Sequence, residues 1–219
     1  MARENNAEER VMCAILSYFK ALIFYTQANE LKENKELSAA IICGYYSIFH
    51  LAVSRVKLFE GHVFDPCVEL CEPKDVDTSK LLRHKKVQKI ISELVQQKKI
   101  ESSFLDVLKN FEAMRDYANY GPRLYKQERY TFDSCSHPKL KLNFKKELEK
   151  LDKEFYNYVD SLKQINHNPF LFTNSYKKFY FDEFEKLCFC SERTLSQAKK
   201  LHDKLYMYFN KDKERKTAP

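Results

Sequence analysis

The sequence predicts an all-α protein, and three observations lead to this fold class. The 219 residues include only three Gly and six Pro, too few for the frequent turns of a β-sandwich or barrel. Hydrophobic residues make up 44% of the chain and include 14 Tyr and 17 Phe, which excludes a mainly disordered chain. Long segments repeat apolar residues at steps of three and four, the period of an amphipathic helix. A chain of this length forms one domain, or one domain with a small appendage, without needing disulfides.

The first two predicted helices span residues 8–34 and 36–60, and they differ in where their apolar residues lie. In the first, apolar side chains from Val11 to Tyr25 recur at steps of four and three, so one face is apolar. The second is apolar nearly all round, and small residues such as Gly44 let neighbouring helices approach closely. A helix of this kind is typical of the centre of a bundle.

Three further helices complete the predicted bundle, and their ends carry capping and stop signals. Ser102 or Ser103 is expected to cap the fourth helix, and Gly121–Pro122 to end it, because proline lacks the N–H that a helix interior needs. The fifth helix has the clearest period, with apolar residues from Phe144 to Ile165. The predicted ranges are 78–98, with Thr78 or Ser79 as the cap, 102–120 and 144–165, separated by loops over 61–77 and 122–138.

The segment Asn166–Pro169 breaks the helical pattern, and a pair of helices over 174–188 and 192–209 is predicted to follow it. Ser191 precedes the last helix and is predicted to cap it. The predicted organisation is a helical bundle over residues 1–168, an appended helical hairpin over 169–209 and a disordered tail over 210–219.

The net charge of +7 lies almost wholly in the C-terminal part of the chain. Residues 126–219 hold 20 Lys and Arg against 14 Asp and Glu, whereas residues 1–125 are close to neutral. An excess of this size is compatible with RNA contact, and solvated helix faces of mixed sign explain it equally well.

The sequence predicts a cytoplasmic protein that does not enter a membrane. Residues 1–10 are too polar and acidic for a secretory signal, and no apolar run approaches the roughly 18 residues of a transmembrane helix. The seven Cys are an odd number in a chain of ordinary size, which favours reduced thiols.

No metal or cofactor is predicted. The pairs Cys67 and Cys71, and Cys188 and Cys190, lack the two-residue gap of zinc knuckles, so these residues are interpreted as ordinary thiols. Three scattered glycines are also too few to form a phosphate-binding loop.

Arg115 presents a local conflict in the fourth helix, because its spacing places a permanent cation on or beside the apolar stripe. Asn119 lies one turn later, and Asp116 and Tyr120 form a second pair four residues apart beside them. One interpretation is a structural Arg that pairs with a carboxylate from another helix. The other is an Arg reserved for phosphate, which its planar guanidinium suits.

His50 raises a similar question in the second helix, where it lies among apolar residues one turn after Tyr46. A His in such a position is either a core residue with satisfied hydrogen bonds or a group that transfers protons.

Three segments together resemble the HEPN family. Residues 40–52, Ala-Ile-Ile-Cys-Gly-Tyr-Tyr-Ser-Ile-Phe-His-Leu-Ala, resemble the family's second helix, and Arg83-His84-Lys-Lys-Val87 resembles a helix start that carries a His. Residues 115–122, Arg-Asp-Tyr-Ala-Asn-Tyr-Gly-Pro, are similar to a block of short, stand-alone bacterial members. The resemblance covers about residues 8–165 and implies a HEPN-like bundle of four to five helices that forms a homodimer through the helices carrying the Arg motif.

Catalytic members of that family cleave RNA without a metal, using an Arg followed a few residues later by a His. This chain departs from the motif, because Tyr120 stands in the window and Gly121 and Pro122 follow it. A Tyr, with an ordinary pKa of about 10, is a poor general base at neutral pH. His50 or His84 therefore has to supply proton transfer if Arg115 serves as the cation.

The candidate catalytic residues are accordingly Arg115, Asp116, Asn119, Tyr120 and His50. The function expected from the resemblance is an RNA-directed module of a toxin–antitoxin or defence system with a noncanonical ribonuclease site. The alternative is a non-catalytic helical module that binds a protein partner, such as a nucleotidyltransferase-like protein.

Overall fold

The computed structural model describes residues 7–60, 84–124, 143–164, 177, 180–182 and 190–216. Throughout these residues the chain forms helices and the turns between them, without strands, so the all-α prediction is confirmed. The helices are α1 (Ala7–Glu33), α2 (Leu37–Glu60), α3 (His84–Gln96), α4 (Ser102–Leu124), α5 (Phe144–Lys163) and α6 (Glu192–Lys216).

Helix α2 lies at the centre of the bundle and packs against α1, α3, α4 and α5. Its residues 51–58 are all buried. By length and composition alone, Leu37–Phe59 is apolar enough to cross a membrane, which corrects the expectation that the chain holds no such stretch. Most of this stretch is buried inside the bundle, so its apolar character is explained by packing against the surrounding helices.

Serine hydroxyls fix how α1 lies along α2. The Oγ of Ser47 donates to the carbonyl of Ala21 at 2.8 Å, and the Oγ of Ser54 donates to the carbonyl of Ala14 at 2.6 Å. The partner's number falls as the number along α2 rises, so the two helices run antiparallel. The Ser54 hydroxyl also lies 2.6 Å from the hydroxyl of Tyr158 in α5, which joins three helices at one buried point.

Gly44 sets the close approach of α2 and α4. A Cβ at this position would lie 2.5 Å from Cε1 of Phe111 and 3.3 Å from Cε2 of Phe144. Both rings are buried in the core. The small residue is therefore required by space, and it brings the neighbouring Tyr45 against α4.

Helix α6 packs against α1 and α5 and contributes to the same core as the bundle. Its N-cap is Ser191, as predicted, because the Ser191 Oγ accepts a hydrogen bond from the backbone N–H of Thr194 at 3.1 Å. The helix continues to Lys216, so residues 210–216 of the expected tail are helical. Of the other predicted hairpin helix, the structure describes residue 177 and residues 180–182, where Tyr180 and Phe181 pack on Phe19.

The predicted C-terminal end of α4 and its predicted N-cap are wrong, whereas its predicted first residue is right. The helix passes through Gly121 and Pro122 to Leu124. A proline this close to the end removes a single hydrogen bond, and the helix stops two residues later. At the other end the helix begins with Ser102 itself, and the carbonyl of Glu101 accepts the N–H of Phe104 at 3.2 Å.

The remaining predictions about caps, loops, thiols and helix breaks lie outside the described residues. They are the caps Thr78 and Ser79, the loop over 61–77, most of the loop over 122–138, the thiols Cys67, Cys71 and Cys188, and the break at 166–169.

We expect Gly44→Ala to destabilise the protein by about 1–3 kcal/mol, because the added methyl group overpacks the contact with Phe111. The gain in helix propensity, about 1 kcal/mol, offsets only part of this loss. Urea denaturation measures the change in the free energy of unfolding. Adding Phe111→Leu should recover part of the loss, whereas Ser38→Ala at an exposed position of α2 should be close to neutral. Unchanged stability of Gly44→Ala would contradict the close approach.

His202 of α6 is fully buried against aromatic rings of α1. Its Nδ1 lies 3.4 Å from the hydroxyl of Tyr18, and its ring centroid lies 5.1 Å from that of Phe19. Burial, assisted by the nearby charge of Lys177, lowers the pKa of His202 to about 4. The ring is therefore neutral in the folded protein at neutral pH.

This burial predicts a loss of stability in mild acid. Between pH 6.5, where His titrates in the unfolded chain, and pH 4, the unfolded state binds more protons than the folded state. The stabilisation is complete above pH 6.5 and declines as the pH falls, by up to about 3 kcal/mol. Urea unfolding of the wild type and of His202→Gln at several pH values checks this, and the variant should show a flatter dependence. Parallel slopes for the two proteins would contradict it.

Candidate functional site

Tyr45 is the point where α2, α3 and α4 bring polar groups together. Its side chain is fully buried, and its hydroxyl lies 2.5 Å from Nδ1 of His84, the first residue of α3. The guanidinium of Arg115 in α4 stacks on the Tyr45 ring, with Cζ 4.2 Å from the ring centroid. Arg115, Tyr45 and His84 are called the Arg–Tyr–His cluster below.

Arg115 also pairs with the next residue, Asp116. Its NH2 and Nε groups donate to the same Asp116 Oδ1 at 2.5 and 3.1 Å. The side chain of Arg115 is 18% exposed and that of Asp116 is 49% exposed. Among the described residues, the carboxylate that pairs with Arg115 is thus a half-exposed neighbour on α4. An ion pair with a half-exposed carboxylate exchanges that carboxylate for another anion at low cost, as the phosphate interpretation of Arg115 requires.

Burial and the surrounding charges together keep His84 neutral and Arg115 charged at neutral pH. Burial lowers the pKa of His84, the positive charge of Arg115 lowers it further, and Glu112 and Asp116 oppose this. Burial lowers the pKa of Arg115, but its hydrogen bond to Asp116 and the nearby carboxylates more than compensate, so the pKa is raised overall. Burial raises the pKa of Tyr45, although the charge of Arg115 opposes it, so the phenol keeps its proton.

Residues around the cluster hold His84 in position. The ring centroid of Phe49, one turn after Tyr45 on α2, lies 4.3 Å from that of His84. On α3, the Nε2 group of Gln88 donates to Oε2 of Glu112 in α4 at 2.5 Å. The start of α3 is therefore held against both α2 and α4.

The residues proposed from the sequence occupy different places. Arg115 and Asp116 form an ion pair at the cluster, and Asn119 is exposed one turn further along α4. The side chain of Tyr120 lies outside the described residues. His50 stacks on Phe24 of α1, with centroids 5.5 Å apart and planes at 7°.

Two histidines, His50 and His84, are considered for proton transfer from the sequence. The structure places His84 beside Tyr45 and Arg115, and His50 against α1. Sequence reasoning missed Tyr45 as a site residue. The available signal was a Tyr at a fully apolar position of the central helix, because a buried phenol needs a hydrogen-bond partner.

The cluster combines a permanent cation with a neutral imidazole at the edge of the protein. An Arg of this kind binds phosphate oxygens through its planar fork, and a neutral imidazole accepts a proton at pH 7. The arrangement suits an acid–base reaction at a phosphate group. Within the described residues, no three His, Cys, Asp or Glu side chains are grouped as a metal ion requires.

No protein-family model, curated protein or solved structure matches the chain.

A second arginine offers a direct contrast with Arg115. The side chain of Arg55 in α2 is 2% exposed and pairs with Glu154 of α5, which is 4% exposed, at 3.4 Å. Its guanidinium stacks on Phe104 of α4, with Cζ 4.3 Å from the ring centroid. Both arginines thus stack on an aromatic ring, and within the described part of the chain Arg55 pairs with a buried carboxylate and Arg115 with a half-exposed one.

We expect Arg115→Ala to lower the free energy of unfolding by about 1 kcal/mol, the size of an exposed ion pair and a cation–π contact. Arg55→Ala strands the buried carboxylate of Glu154 and should cost about 3–5 kcal/mol. Urea denaturation of both variants at pH 7 measures the difference. A loss for Arg115→Ala as large as that for Arg55→Ala would show that Arg115 is structural.

Proposed function

We propose that this protein is a HEPN-type, RNA-directed module of a toxin–antitoxin or defence system and that it acts in the cytoplasm. The observation that carries the proposal is the meeting of an Arg and a neutral His on one buried Tyr. Each HEPN-like segment contributes one of these residues: 40–52 holds Tyr45, 83–87 holds His84 and 115–122 holds Arg115. Segments far apart in the sequence therefore converge on one cluster, as a shared site requires.

The reaction that fits the Arg–Tyr–His cluster is cleavage of RNA by its own 2′-hydroxyl. His84 takes the proton of the 2′-hydroxyl, and the oxygen attacks the adjacent phosphorus. Arg115 stabilises the negative charge that develops on the phosphorane oxygens. The bond from phosphorus to the 5′ oxygen breaks, and solvent gives that oxygen a proton. The products carry a 2′,3′-cyclic phosphate and a 5′-hydroxyl, and the His84 imidazolium returns its proton to solvent.

Tyr45 is a positioning residue in this mechanism, because its buried side chain is out of reach of the substrate. When Nδ1–H of His84 donates to the Tyr45 oxygen, the lone pair of Nε2 is left to accept the proton. The lowered pKa of His84 keeps this nitrogen unprotonated at neutral pH. The stacked Tyr45 ring also holds Arg115 beside the imidazole.

The proposal includes the homodimer that the resemblance implies, formed through the helices that carry the Arg motif, here α4. In a single chain the Arg–Tyr–His cluster contains one partly exposed Arg. A second α4 alongside the first would bring two clusters to one RNA. Light scattering in the assay buffer should give twice the mass of the chain.

We expect His84→Ala to reduce cleavage of a labelled single-stranded RNA by about 10²–10⁴-fold, the contribution of a general base. Arg115→Lys keeps the charge but loses the bidentate fork, so it should retain part of the activity that Arg115→Ala loses. The matched control is His50→Ala, because His50 is a histidine on the same helix as Tyr45. This variant should remain active. The assay contains EDTA, and mass spectrometry identifies the cyclic phosphate. Equal activity of His84→Ala and the wild type would overturn the proposed mechanism.

The pH dependence of the same reaction provides an independent check. Because the pKa of His84 is lowered, cleavage should be insensitive to pH near neutrality. At pH values below the pKa of His84, the rate of cleavage should decrease about tenfold for each pH unit.

The second candidate function is a non-catalytic module that binds a protein partner, such as a nucleotidyltransferase-like protein. Met207 of α6 favours it, because this large apolar side chain is 58% exposed and Tyr208 beside it is also exposed. In this case the protein would neither cleave nor retain RNA at low salt, where phosphate contacts are strongest. Binding to such a partner would then be insensitive to salt and would be weakened by Met207→Ser.

A further inference from the structure

A cleft of about 690 Å³ lies at the far end of α2 from Tyr45. Arg55 forms part of its lining, ten residues after Tyr45 and therefore about 15 Å further along the helix. Val95 of α3, the turn over residues 98–101, the first two residues of α4 and the C-terminal part of α5 complete its walls. The cleft is thus separate from the Arg–Tyr–His cluster.

Arg55 is a buried cation with incomplete hydrogen bonding. Its NH2 group lies 3.4 Å from both the carbonyl and Oε2 of Glu154, which is long for a charged pair. Its Nε is buried and has no hydrogen-bond partner among the described residues. Glu154 is itself shared, because it also accepts from Ser103 at 3.2 Å and from Asn157 at 3.4 Å. A buried guanidinium in this state gains free energy from a further anionic partner.

The N-terminus of α4 opens onto the same cleft, at Ser102 and Ser103. The first backbone N–H groups of a helix have no acceptor within the helix and carry a partial positive charge, so they bind anions. Lys98 adds a full charge from the turn before α4. The unsatisfied Arg55 is the independent observation that makes this helix end a site.

Three cations and two carboxylates line the cleft, and a third carboxylate, that of Glu154, pairs with Arg55. The cations are Arg55, Lys98 and Lys99, and the carboxylates are Glu101 and Asp160. Asp160 is already engaged, because it pairs with Lys163 at 3.0 Å and accepts from Tyr208 at 3.2 Å.

We propose that this cleft binds the phosphate group of a small phosphorylated molecule. The phosphate contacts Arg55, the first N–H groups of α4 and Lys98. The polar residues Asn157, Ser161 and Gln164 line the α5 wall, where they provide hydrogen bonds for the hydroxyls of a sugar. The site goes beyond the proposed RNA cleavage, and neither site depends on the other.

The test is calorimetric titration of the full chain with inorganic phosphate, pyrophosphate and ribose 5-phosphate. Lys98→Asn should weaken binding about threefold to fivefold, as expected for one exposed charge. Lys98 has a φ of 58°, a left-handed conformation that Asn tolerates. Lys35→Asn is the matched control, because Lys35 has a φ of 65° and is exposed in the turn between α1 and α2, outside the cleft.

A second variant probes the helix end without disturbing the fold. Ser102→Pro removes one N–H at the first position of α4, where proline is well tolerated, and should weaken binding about tenfold or more. Weaker binding by these two variants, together with unchanged binding by Lys35→Asn and Arg115→Ala, supports the site. No binding to the wild type, equal binding by all variants, or loss on Arg115→Ala alone would overturn it. Tighter binding of ribose 5-phosphate than of phosphate supports the sugar contacts, and equal affinity would overturn that part.

Discussion

The central helix α2 has no polar face, and covering it on every side is the constraint on which the bundle depends. Apolar surface left in water costs roughly 25 cal/mol per Å², so the surrounding helices α1, α3, α4 and α5 are all required. The few polar groups of α2 must then find partners in those helices. Ser47 bonds to α1, Tyr45 to α3 and Arg55 to α5, and each bond fixes where one neighbour lies along α2.

Two stacking contacts set the register of α2 against α4. Arg115 of α4 stacks on Tyr45 of α2, and Arg55 of α2 stacks on Phe104 of α4. The two positions on α2 are ten residues apart and those on α4 are eleven apart in the opposite direction, about 15 Å on each helix. The helices therefore run antiparallel with a matched spacing. The close contact of Gly44 with Phe111 lies between these positions in α4, so a shift of either helix would disturb all three contacts.

The apolar period of the sequence is sufficient to predict a helix when its buried face and its cap depend on residues within a few turns. The apolar stripe from Phe144 predicts α5, and the hydroxyl of Ser191 predicts the start of α6, since both depend on residues within a few turns. Arg115 was also recognisable, because a cation beside an apolar stripe is a local conflict. The pairing of Tyr45 with His84 is not recognisable from the sequence, because it joins residues 39 apart on different helices. His50 was a reasonable choice from its apolar surroundings, but its ring stacks on α1.

Burial explains why the two arginines suit different tasks, although both stack on aromatic rings. The partner of Arg115 is half exposed, so Asp116 can be released to water at little cost when a phosphate approaches. The partner of Arg55 is buried, and releasing Glu154 would leave a carboxylate without its cation inside the protein. Burial also lowers the pKa of Arg55 to about 10, still high enough for a permanent charge at pH 7. The proposed RNA cleavage relies on this exchange of Asp116 for a phosphate at Arg115. Arg55 must keep Glu154, so the phosphate proposed for the cleft is a second anion, which suits a ligand that is held and not transformed.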